Sequence, residues 1–283
     1  MGRNCWLMFG ILFMVIFLLH GVVQATADET ANKPVVGDKQ DNSVEELAKK
    51  SQNPVSDLMS VPFQYNVYSG GALGNSTKSV LNIQPVIPHR LNKDWNLRTR
   101  IVLPLMSSPT PNGMVSGTGD STICFFLSPH KKGEVMMGFG PIVQLPTASN
   151  EVLGTQTWGI GPAALVVKSH KQWVYGAMTN YVTSIGNSPT GHRTDQLLIQ
   201  LFANYNLPHA KGFSLSYSPM ITADFTRAPG DQWTLPVGLM ATKVLHIGKQ
   251  PVSIGIGGFK NVVRPSNAPD WNFRFAMTFL FPE

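Results

Sequence analysis

Twelve times between Val61 and Phe281 the chain alternates apolar and mixed residues with period two, and no apolar stripe position carries a charge. The last stripe shows the form: Trp271, Phe273, Phe275, Met277, Phe279 and Phe281, with Asn272, Arg274, Ala276, Thr278 and Leu280 between them. A period of two puts successive side chains on opposite faces of a strand. A soluble sheet can hide one such face on a core, but twelve would overload it in a chain whose charged content is only 13%. A closed barrel in lipid requires this pattern, because it is apolar outside and mixed inside, with every backbone group paired between strands. The expected fold is therefore all-β: an antiparallel transmembrane β-barrel of about twelve strands over residues 61–283, behind a short periplasmic segment over 28–60.

The connections give an independent test. "LNKD", "SPHKKGE", "KSHKQ", "LPHAKG" and "HIGKQ" are short. Between them fall longer Gly-, Pro-, Ser- and Asn-rich stretches near 107–120, 146–157, 184–195, 222–232 and 260–270. Short periplasmic turns alternating with longer external loops are the outer-membrane pattern. An even strand number then places both barrel termini on the periplasmic side. Trp95 and Trp173 open strands after short turns, while Trp158, Trp233 and Trp271 open strands after long loops. That ordering predicts an aromatic girdle at both lipid interfaces.

At the amino end, Arg3 precedes an apolar run from Cys5 to Leu19, and Ala25-Thr26-Ala27 offers a cleavage site. This is the secretory layout, so residues 1–27 read as a signal peptide. Cys124 is then the only cysteine left, which excludes a disulfide scaffold. Charges scatter through turns without a run, which argues against nucleic acid as a partner. Within 28–60, "SVEELAKK" reads as a short helix with Ser43 and Glu46 as a capping box and Asn53-Pro54 as its end. The segment is either a leader or a piece that tucks into the barrel.

Several stretches resemble an outer-membrane transporter family labelled "MetA-pathway of phenol degradation": "NPVSDLMSVPFQYN", "LNIQPVIPHRLNKDWNL", "GPIVQLPTA", "WGIGP", "VLHIGKQPVSIGIGG" and the terminal strand. The resemblance spans roughly residues 50 to 283. It implies a bacterial outer-membrane barrel that moves small apolar compounds. The closing strand "WNFRFAMTFLF" also resembles the signal read by the barrel assembly machinery, although it ends Pro282-Glu283 rather than on the aromatic.

Inside the expected barrel the charges are few. Arg98 and Arg100 lie on the third strand and Arg274 on the twelfth, which closes beside the first, so the three share one wall. With the neutral residues Gln84, Gln144 and Gln200 they form the candidate solute-binding set. Arginine matches a carboxylate or phenolate bidentately; alternatively the three pair with acids of the N-terminal segment (Glu45, Glu46) or of loops. Val102, Cys124, Phe126, Met136, Leu198, Phe202, Met240 and Leu280 also face inward, which predicts a narrow or plugged lumen. Lipid and a small solute are the expected partners, and no metal or cofactor is implied. A structural or adhesive barrel is the main alternative. An esterase is the lesser one, since His192 near Ser188 has no strand geometry to hold the pair.

Overall fold

The computed structural model describes residues 38–54, 56–130 and 133–282; those from Gln40 on form one compact unit. The expected signal peptide and the first part of the N-terminal segment lie outside the described residues. A helix, α1 (Asp38–Ser51), leads into twelve strands. They are β1 (Met59–Ser69), β2 (Thr77–Ile83, resumed at Val86–Arg90), β3 (Trp95–Thr110) and β4 (Gly113–Thr118, resumed at Ser121–Pro129). Then come β5 (Val135–Leu145), β6 (Trp158–His170), β7 (Trp173–Ile185) and β8 (Asp195–Asn206). The last are β9 (Phe213–Tyr217, resumed at Met220–Asp224), β10 (Trp233–Ile247), β11 (Gln250–Val263) and β12 (Trp271–Phe281).

Each strand pairs antiparallel with the next, and β12 closes on β1 from Met59↔Phe281 to Ser69↔Trp271. The result is a closed twelve-stranded antiparallel barrel. Among the described residues no helix is long and apolar enough to cross a membrane. Both barrel termini lie at the end that carries the short turns.

Two of the interruptions fall at prolines. β2 breaks at Gln84-Pro85 and β9 at Ser218-Pro219, because proline has no N–H for the ladder. Between Ser216↔Met240 and Thr222↔Thr234, residues 217–221 and 235–239 face each other without backbone pairing. Pro219 and Pro236 fall within that stretch.

The alternation decides what faces out. Phe139, Leu201, Leu239, Ile256 and Phe273 are exposed on the outer surface, where lipid would take the place of water. Some stripe positions are hidden even so. Val61 and Val252 both lie opposite Phe279, and the Phe63 ring meets the Phe279 ring edge-on at 5.9 Å.

Two expectations are corrected. The stretch 107–120 is not an irregular loop: β3 and β4 run on as a hairpin through Thr110↔Gly113, beyond the pairing partners that close the barrel. The helix begins at Asp38, so Ser43 lies within it rather than capping it. Lys49 and Lys50 in its last turn suit the helix dipole.

Candidate functional site

Strand pleating sends the even residues of β1, β3, β8 and β12 into the bore, and the bore has two unlike walls. From β4 to β8 it is apolar: Phe126, Ile142, Leu165, Val167, Val174 and Met178 form one buried cluster with Cys124 and Phe202. Cys124 is thus a packing residue, free and 2% exposed. From β12 round to β3 the wall is polar and carries the three arginines.

The segment ahead of β1 occupies the short-turn end of the bore. Val44, Leu47 and Ala48, at helical spacing, pack with Leu58 against Val244 of β10 and Leu280 of β12. Gly212 makes room for this helix: its φ is +76°, and a Cβ there would stand 2.6 Å from Val44 Cγ1. Gln52 donates to Asn206 Oδ1 and Ser214 Oγ, both at 3.0 Å. Asn53 Nδ2 reaches Met136 Sδ at 3.9 Å. Contacts to β3, β5, β8, β9, β10 and β12 mean that this stretch lies across the opening. Of the two expectations for it, the described residues 44–54 and 56–58 show the segment tucked against the barrel wall.

The arginines share a wall but divide the work. Arg98 is buried and holds the N-terminal segment: Nη2 donates to Asp57 Oδ1 at 2.6 Å and Nε to the Ser56 carbonyl at 3.4 Å, while Nη1 bonds Ser128 Oγ. Pairing with an acid of the N-terminal segment thus occurs at Arg98, through Asp57 rather than Glu45 or Glu46. Asp57 stands two residues before β1, at the mouth, and that position was the available signal for it.

Arg100 and Arg274 instead reach across the bore. Arg100 donates to Gln84 Oε1 and meets Met178 Sδ of β7 at 3.5 Å. Arg274 donates to Asn66 Oδ1 at 3.0 Å and to the Ser218 carbonyl of β9 at 3.3 Å, with Met220 Sδ at 3.3 Å. Its guanidinium lies 4.8 Å from the Phe259 ring centroid. Among the described residues neither arginine has a carboxylate within 4.0 Å. Their thioether partners Met178 and Met220 were not foreseen, since nothing in strand periodicity shows which side chains meet across a bore.

Two of the cavities beside the segment reach an arginine of the bore. One of about 210 Å³ is lined by Gln64, Gln200, Asn204, Ser218, Met240 and Arg274. Gln200 lies here and donates to Ser218 Oγ at 3.0 Å. The other, of about 440 Å³, opens beside Arg98 and Asp57. Gln84 is buried against Arg100. Gln144 stands apart from these: its amide donates to Thr194 Oγ1 at 2.9 Å and Thr155 Oγ1 at 3.2 Å, pinning the connection 146–157. Asp120 holds the same connection by accepting from the Ala148, Thr155 and Gln156 amides at 3.1, 2.7 and 3.1 Å. The five tryptophans among the described residues all begin strands: Trp158, Trp173, Trp233 and Trp271 are exposed outward, and Trp95 is half-buried.

No family model matches the chain, and no curated protein matches it significantly. Solved structures do. The COG4313 outer membrane channel from Pseudomonas putida F1 is 18% identical, with a TM-score of 0.58 over 79% of this chain and 94% of that one. The NanC porin is 9% identical, with a TM-score of 0.50 over 80% and 100%. The chain thus shares the fold of these outer-membrane β-barrels.

Proposed function

We propose that the chain is a bacterial outer-membrane channel for small, partly hydrophobic solutes, aromatic carboxylates among them. The short-turn end, with both barrel termini, faces the periplasm, and the aromatic closing strand serves recognition by the assembly machinery. The observation that carries the reading is the pair Arg100 and Arg274: two guanidiniums inside the bore, without acidic partners among the described residues, with the apolar cluster on the facing wall. Fixed positive charge in a low-dielectric passage concentrates anions, and the apolar wall accommodates a ring.

The test is uptake into liposomes by wild type and by a protein carrying Arg100→Gln and Arg274→Gln. Benzoate uptake should fall roughly tenfold while toluene uptake stays unchanged, and the difference should shrink at high salt. Equal uptake of both solutes by both proteins would make the arginines structural. The occupied bore favours a second reading, a barrel without transport, and absence of any uptake by wild type would select it.

A further inference from the structure

The cavity of about 440 Å³ at the short-turn end shares no lining residue with the one at Arg274. Its lining brings cations and apolar side chains together: Arg98 and Lys50 with Met136, Leu58 and Pro129. Among the described residues, the carboxylate that lines it is that of Asp57. That carboxylate occupies Arg98 Nη2, and the two side chains differ sharply in access. Arg98's is 4% exposed and held by the wall through Ser128, whereas Asp57's is 42% exposed and sits on the inserted segment. A competing carboxylate can therefore approach from the cavity without moving the wall. Lys50, bound to Glu46 at 2.7 Å on the exposed flank of α1, adds a second cation near the entrance.

We propose that this cavity is a binding site for small aromatic carboxylates, in which the ligand takes the place of Asp57 on Arg98 and so releases residues 44–58 from the β3 side of the barrel. The proposal rests on the bore being a route for anionic solutes. The exchange is like for like, one charge-assisted hydrogen bond for another, so its cost is small on the Arg98 side. The segment loses the Asp57 bond and, with it, the restraint that holds the Ser56 carbonyl at Arg98. The contacts with Asn206, Ser214 and Met136 and the apolar patch on Val244 and Leu280 stay in place. Because the ligand reaches Arg98 only where Asp57 has left, it discriminates fully between the two states, which is what a population shift requires. Linkage makes the coupling reciprocal: removing the competitor must tighten ligand binding.

Hydrogen exchange over residues 44–58, read by mass spectrometry on the refolded barrel, tests this with benzoate as probe and benzamide as its neutral counterpart. Benzoate should raise exchange there about tenfold, the factor a lost charge-assisted hydrogen bond supplies, while benzamide leaves it unchanged. Asp57→Asn should exchange fast without ligand, gain little more from benzoate, and bind benzoate more tightly than wild type. Heat-modifiable migration on gels confirms that the variant is a folded barrel. No rise with benzoate, an equal rise with benzamide, or an Asp57→Asn protein as protected as wild type would overturn the proposal. Benzoate uptake without a change in exchange would remove this site and leave the channel. A change in exchange without uptake would do the reverse.

Discussion

From β4 to β8 the inward residues are Phe126, Ile142, Leu165, Val167 and Met178, whereas from β12 round to β3 they are Arg274, Asn66, Gln84, Arg98 and Arg100. Both walls come from the same alternation, and both turn an apolar stripe outward. The difference lies only in the inward set. One wall carries the packed apolar cluster, with Gln144, Gln200 and Asn204 also turned inward. The other is polar: two of its arginines reach across the bore to Met178 and Met220, while the third ties down the segment ahead of β1. Alternation thus sets the barrel, while the inward set decides which wall gives stability and which gives selectivity.

The comparison breaks most readily at the apolar wall. Phe126→Ala should cost about 3–5 kcal/mol, since a fully buried ring leaves a cavity. Arg274→Gln should cost about 1–3 kcal/mol, because its partners are neutral acceptors. Urea titration of folding in detergent micelles measures both, and equal losses would erase the division between the walls.

The next contrast lies within one strand. Leu201→Arg puts a charge on the exposed outer face at mid-strand and should cost about 2–4 kcal/mol. The same substitution at the neighbouring Gln200, which lines the smaller cavity, should be milder. Equal damage at the two positions in a refolding assay would mean that inside and outside have been exchanged.

The smallest effect concerns the segment in the bore. Gly212→Ala combines a positive φ with a Cβ 2.6 Å from Val44, so the helix must shift. The expected cost is about 1–3 kcal/mol, seen as faster tryptic cleavage at Lys49 or Lys50 with the barrel intact. Unchanged cleavage would place the helix elsewhere.

The outward stripe was readable because the pleat writes one face into every second position, and Trp158, Trp173, Trp233 and Trp271 lie where that pattern put them. The arginines were readable as inward residues on one wall, since registers between neighbouring strands follow from short turns. Contacts across the bore were not: that Arg100 meets Met178 depends on barrel diameter and shear, which period two does not encode. The same holds for Gln144, inward as expected but spent on the connection 146–157, and for Asp57, whose strand-free context gave no face. The hairpin extension over 107–120 hid behind its Gly, Ser and Pro content, which reads as loop.

The central claim is that Arg100 and Arg274 make the passage favour anions, and the reversal potential of single channels across a potassium chloride gradient tests it most directly. Wild type should show anion preference that falls as total salt rises, and the Arg100→Gln, Arg274→Gln protein should lose it or invert it. A reversal potential unchanged by the two substitutions, or cation preference in wild type, would contradict the account.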